Sequence, residues 1–252
     1  EVQFVAFLAM AAPPDVNLTT LDIEAYNFLK TLEAVSLNVV TAESLTAGLI
    51  VSTLVNVPFM GKFIYGGHAV YDSDAKRMFL GVRQPNVYTE LCARQMARGA
   101  IISSRAMLGI AVTGNAGPVS KDHLESLGVV DYAVSLRTTK PLAKQKIEDI
   151  AGDSGVFATS AQRFSFCTQG SQKTRQLCSA YVSEASNHSM GFVSKETLVA
   201  VRAAIRRETA YYAMKQARLF LESYCNVASG TCTDLAKLPF MDFDGSFGGV
   251  GE

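Results

Sequence analysis

Leu37-Asn38-Val39-Val40-Thr41-Ala42-Glu43-Ser44-Leu45-Thr46-Ala47-Gly48 decides how this chain is read, because two hydrophobic periods meet inside it. Residues 37–42 are apolar and β-branched enough for a strand, and residues 46–55 return to helical spacing. Glu43, Ser44 and Leu45 therefore fall at a strand-to-helix turn. Upstream, Leu21, Ala25, Phe28, Leu29 and Leu32 recur at helical spacing behind Thr19 and Thr20, candidate caps, with Asp22 and Glu24 near the positive helix end. Downstream, residues 63–71 read as a strand in which Gly66-Gly67 signals a bulge or a close backbone approach. Residues 74–80 suit a short helix, and residues 87–108 a long one leading into a buried strand at 109–112. Residues 113–118, with two glycines and a proline, are expected to form a loop. Strands at 128–136 and 162–166 and a helix of about eight turns at 195–224 complete the pattern. Strands alternating with helices predict an α/β layered fold.

This pattern divides the chain into an N-terminal arm at 1–18, an α/β domain at 19–224 and a C-terminal extension at 225–252. Residues 140–161 are mixed and contain glycine, and residues 167–194 are rich in Ser, Gln and Asn, so both are expected to be surface insertions.

The 252 residues carry 23 Lys+Arg against 23 Asp+Glu and are 48% hydrophobic, enough to bury a sizeable core. Zero net charge removes the footprint that many phosphate contacts demand, so no nucleic-acid partner is expected. The apolar run from Val5 to Ala12 ends at Pro13-Pro14, short of the roughly 20 residues of a membrane span. Five cysteines, an odd number with no C-x-x-C pair, argue against a disulfide framework and for a reducing compartment. The expectation is an intracellular protein, cytoplasmic or mitochondrial, and Glu at position 1 points to a processed or trimmed N-terminus.

Ser44, at a helix start directly after a strand, has the setting of a nucleophile, because unpaired helix N–H groups there can stabilise an oxyanion. Alternatively, Ser44 or Thr46 simply caps the helix. Lys76 is a candidate base if a cleft desolvates it, and otherwise a surface lysine. His68, His123 and His188 are isolated and give no metal-ligand spacing. Arg202 and Arg206 share a helix face and suit a phosphate clamp, or else form a solvated charged face with Glu208.

Thr41-Ala42-Glu43-Ser44-Leu45-Thr46-Ala47-Gly48 resembles the T-A-E-S-C-T-G-G signature of the CinA C-terminal domain family. Three further blocks follow in that family's order. Gly66-Gly67 through Tyr71, Asp74-Ala75-Lys76 and Leu80-Gly81-Val82 resembles G-G-x-x-x-Y-(polar)₃-A-K…L-G-V. Ala111-Val112-Thr113-Gly114-Asn115-Ala116-Gly117-Pro118 resembles A-V-T-G-I-A-G-P, and Gly128-Val129-Val130 the G-T-V strand. The helix holding Arg202 and Arg206 resembles the family's closing R-x-x-x-R helix. Leu45, Ala47 and Asn115 stand where the pattern has cysteine, glycine and an apolar residue.

The resemblance implies a three-layer α/β/α sandwich and a metal-independent serine amidohydrolase that converts nicotinamide mononucleotide or a related pyridine nucleotide to the carboxylate and ammonia without a cofactor. Under it Ser44 is the nucleophile, Lys76 its proton acceptor, and Tyr71 assists. Thr46, Gly48, Thr113 and Gly114 contact substrate, and Arg202 or Arg206 holds its 5′-phosphate. The resemblance also implies a homo-oligomer. The alternative is a catalytically reduced relative that serves as a structural or binding subunit of a larger assembly.

Overall fold

Val39–Glu43 forms β1, a strand buried at all five positions, as a central strand with parallel neighbours on both sides must be. The computed structural model describes residues 17–137, 157–188, 191–226 and 231–232. Helix α1 spans Leu18–Val35, α2 Leu49–Val55, β2 Ile64–Ala69, α3 Ser73–Leu80, α4 Glu90–Ile102 and β3 Leu108–Gly114. They are followed by β4 Val129–Arg137, β5 Phe157–Ser165, α5 Phe166–Gln169, α6 Gln172–Asn187 and α7 Lys195–Tyr224. Two-residue strands β6 (Cys225–Asn226) and β7 (Thr231–Cys232) pair with each other.

The main sheet has the order β2-β1-β3-β4-β5, parallel across β2, β1 and β3 and antiparallel from β3 to β5. From β1 the chain steps outward to β2 and then crosses back to β3 on the other side. That reversal opens a crevice beyond the carboxyl ends of β1 and β3, where open α/β sheets bind ligands. Each face of the sheet is covered. Leu108, Ile110 and Val112 pack with α1, α2, α6 and α7, whereas Val40, Ala42 and Ala111 pack with α3 and α4. The result is the expected α/β/α layering.

Several boundaries differ from expectation. Asn17, not Thr19 or Thr20, caps α1, and it accepts the Thr20 amide at 2.9 Å. The first turn after β1 is not helical, so α2 begins at Leu49. The 87–108 helix is only Glu90–Ile102. Thr113 and Gly114 are the last residues of β3 rather than loop. Strand β5 begins at Phe157, which puts residues 157–161 of the first expected insertion inside the sheet. The second expected insertion is largely α6, whose Thr174, Cys178, Tyr181 and Ala185 are buried. The Gly66-Gly67 expectation agrees with the register, which steps from Val39–Ile64 to Val40–Gly66 and leaves Tyr65 extra. A Cβ at Gly67 would sit 2.3 Å from Thr41 Oγ1, so the approach of β1 requires glycine there.

The cysteine expectation is corrected outright. Cys167 and Cys178 form a disulfide joining α5 to α6, and Cys225 is disulfide-bonded as well. Cys92 is a free, buried thiol. With three of the five cysteines disulfide-bonded, cysteine usage does not point to a reducing compartment. Among the described residues no helix is long and apolar enough to cross a membrane. Residues 1–16, 138–156 and 233–252 lie outside the described residues, and with them most of the expected arm, the bulk of the first insertion and the glycine-rich end of the extension.

Candidate active site

The Ser44 turn is built around its neighbour. Glu43 closes β1 with its side chain fully buried, and its carboxylate accepts the amides of Gly48, Ile50 and Val51 at 3.0, 3.0 and 2.9 Å. It also accepts the Thr41 hydroxyl at 2.9 Å. A helix start leaves its first N–H groups without intrahelical acceptors, and a carboxylate there is favoured by the dipole. Glu43 thus takes the place expected for an oxyanion. This corrects the reading of the α2 N-terminus as an open oxyanion cradle, and equally the reading of Ser44 or Thr46 as its cap. The turn itself is tight, with Ala47 at φ 51° and Gly48 at φ 94°. Ala47 therefore adopts the left-handed conformation that glycine tolerates more easily.

Ser44 is pinned by its backbone, its amide donating to Val112 O at 3.0 Å and its carbonyl accepting the Ala47 amide at 3.1 Å. Among the described residues its hydroxyl has no hydrogen-bond partner, although Ser44 is only 6% exposed. The hydroxyl lines a cavity instead.

Lys76 reaches that cavity from the first turns of α3, a helix capped by Asp72 through the Asp74 amide. It is 1% exposed, and its ammonium donates to Tyr71 O at 2.8 Å. Burial pushes its pKa below the ordinary lysine value, against smaller upward pulls from Cys92 and Asp72. Burial in turn pushes the Cys92 thiol up to about 11, so near neutral pH it offers Lys76 no negative charge. Among the described residues no carboxylate forms an ion pair with Lys76.

The cavity, about 250 Å³, lies beyond the carboxyl ends of β1, β2 and β3. It brings together Ser44, Tyr71, Lys76, Gly114 and Arg202 from the expected set. No direct hydrogen bond joins Ser44 Oγ to Lys76 Nζ. Tyr71 is largely exposed, and its carbonyl rather than its phenol holds the lysine.

Four expected contacts fall elsewhere. Thr46 is fully buried with an unpartnered hydroxyl. The Gly48 amide is engaged by Glu43. Thr113 donates its hydroxyl to Val87 O at 2.7 Å. Arg206 donates to Thr46 O at 2.8 Å and so braces the Ser44 turn from α7. Glu208 does not sit on a solvated face with the arginines. It is buried, where it accepts the Ser171 amide and the Ser171 and Thr174 hydroxyls at the start of α6.

Sequence reasoning passed over Glu43 as an anchor, although an acidic residue directly ahead of a helix start is a recognisable signal. It also passed over Tyr88, which lines the cavity from the segment between α3 and α4 and carries no local signature.

A family model described as the CinA C-terminal domain matches residues 24–153, half of the chain. A CinA-like protein of Chloroherpeton thalassium is 33% identical over 109 residues, covering 41% of this chain and 26% of that protein. A CinA-like protein of Leptospira borgpetersenii is 30% identical over 131 residues, covering 46% and 31% respectively. The matched part thus spans less than a third of either relative's length. The crystal structure of the competence/damage inducible protein CihA from Agrobacterium tumefaciens superposes with a TM-score of 0.55 at 23% identity, covering 84% of this chain and 99% of that one. At that identity the likeness is one of fold.

Proposed function

Because this chain belongs to the CinA C-terminal domain family, we propose that its Ser44 cavity hydrolyses the carboxamide of a pyridine nucleotide such as nicotinamide mononucleotide. The observation that carries the reading is a hydroxyl and a desolvated lysine that line one cavity and have, among the described residues, no hydrogen-bond partner and no ion pair respectively. A positively charged pyridine ring makes its carboxamide carbon electron-poor. Neutral Lys76 takes the Ser44 proton, directly or through one water, as Oγ bonds to that carbon. The C–N bond then breaks, the proton on Lys76 leaves with the nitrogen as ammonia, and an acyl ester remains on Ser44. Water attacks the ester with Lys76 again as base, which releases the carboxylate and restores the serine.

The α2 amides are held by Glu43 and those of Ser44 and Ala47 by main-chain carbonyls, so charge developing on the carboxamide oxygen falls to the amide of Leu45. Arg202 on the cavity wall suits the 5′-phosphate.

Ammonia release from nicotinamide mononucleotide, followed by a coupled assay with Ser44→Ala in parallel, tests the reading. Turnover by the wild type with a loss of at least about 10³-fold in the variant supports it. A well-folded wild type that releases no ammonia rejects it and leaves a binding or structural role.

A further inference from the structure

A second cavity of about 500 Å³ adjoins the first, and the two share Tyr88 and Asn115 in their walls. The partition between them is fixed from both sides. Thr113 Oγ1 donates to Val87 O at 2.7 Å, and Arg163 donates to Tyr88 O at 2.8 Å while bonding both oxygens of buried Asp131 at 2.8 and 3.0 Å. Asn115 accepts the Gly117 amide through its side chain at 2.9 Å, and its main chain bonds Val129 O and the Gly128 amide. These bonds fix the main chain at both wall residues, and that of Asn115 on two sides. The second chamber is therefore a standing part of the cleft.

Its chemistry differs from that of the first. Pro118, Val119 and Val129 give it an apolar wall beside the half-exposed Tyr88 ring, while His123 and Ser126 supply polar groups. This combination suits a flat heteroaromatic base with a sugar, and the volume is of nucleoside size. Each chamber has one guanidinium on its wall, Arg202 in the first and Arg163 in the second. A diphosphate crossing at Tyr88 and Asn115 would meet the Arg202 cation on one side and, on the other, the Arg163 guanidinium, whose charge Asp131 balances but which still has N–H groups to donate.

The geometry points to a pyridine dinucleotide as a ligand of the whole cleft, with its nicotinamide half in the Ser44 chamber and its second nucleoside against Tyr88. This inference rests on the proposed reading of the Ser44 chamber as a pyridine site. Asn115, which stands where the family's pattern has an apolar residue, gives the junction a polar side chain.

Calorimetric titration of the whole protein with nicotinamide mononucleotide and with oxidised nicotinamide adenine dinucleotide tests it. Wild type is expected to bind the dinucleotide at least tenfold more tightly. Ser120→Trp fills the second chamber from an exposed position that lines that chamber alone. It should cost the dinucleotide at least tenfold and leave the mononucleotide within twofold. Glu125→Trp, at another exposed position lining only that chamber, should do the same if Ser120→Trp fails to fold. Equal affinities in wild type, or variants that weaken both ligands or neither, overturn the inference. Ammonia release from the mononucleotide without dinucleotide binding overturns it and leaves the proposed function standing, whereas absence of binding and turnover with either nucleotide rejects both.

Discussion

Glu43 accepts four hydrogen bonds on one buried carboxylate, three from the amides that begin α2 and one from Thr41. Glu43→Gln keeps the size but turns one acceptor atom into a donor facing donors. The expected cost is about 3 kcal/mol of stability, read from urea denaturation, because hydrogen bonds to charged groups are strong and unmade buried ones are expensive. A change below about 0.5 kcal/mol would contradict the assigned role. Lys76 gives a pH dependence. Its folded pKa lies below the unfolded lysine value, so between the two the unfolded chain binds more protons and stability from this group rises with pH. The neutral amine is also the active base, so kcat/KM should rise with pH through an ionisation below 10.5, the ordinary lysine value. Lys76→Met should lose that limb together with the activity, and a limb that persists in the variant would exclude Lys76 as its origin.

At the scale of elements, α7 carries two arginines four residues apart that do different work. Arg202 lines the cavity, and Arg206 holds the Thr46 carbonyl. Arg202→Ala should raise KM for the mononucleotide by about 10- to 100-fold and leave the unphosphorylated riboside unaffected, because a charge-assisted contact to phosphate contributes about 1.5–3 kcal/mol. Arg206→Ala should lower kcat for both substrates through a loosened Ser44 turn. Steady-state kinetics on the two substrates separate these outcomes, and an identical KM effect from both variants would contradict the division.

Helix α7 was legible from its first residue to its last, since a 30-residue apolar repeat leaves little ambiguity. Helix α6 was not. Its buried stripe is Thr174, Cys178, Tyr181 and Ala185, correctly spaced for a helix but too small and polar to register as apolar. The first half of β5 was missed for a related reason, because Ala158, Thr159, Ser160 and Ala161 carry little strand signal. At the candidate site, Ser44 and Lys76 were recognisable from the quoted motifs, whereas the different positions of Arg202 and Arg206 depend on how α7 lies across the turn. No spacing rule contains that information.

For the whole molecule, the reversal of strand order between β1 and β3 explains why residues from distant parts of the sequence meet. Ser44 follows β1, Tyr71 follows β2, Gly114 ends β3, and all line one crevice, which α3 and α7 complete with Lys76 and Arg202. The Cys167–Cys178 disulfide fixes α6 to α5, the turn of helix that directly follows β5, and Tyr181 on α6 holds both the amide and the carbonyl of Val119 in the second chamber. The fold thus supports the cleft from both layers. Hydrolysis in this cleft requires the carboxamide to lie between the Ser44 hydroxyl and the Lys76 amine. A crystal structure of Ser44→Ala with nicotinamide mononucleotide bound measures this directly. The carboxamide carbon is expected about 3–3.5 Å from the position of the missing hydroxyl, with the phosphate on Arg202. A nucleotide bound with its carboxamide turned away from residue 44, or lying wholly in the second chamber, would contradict it.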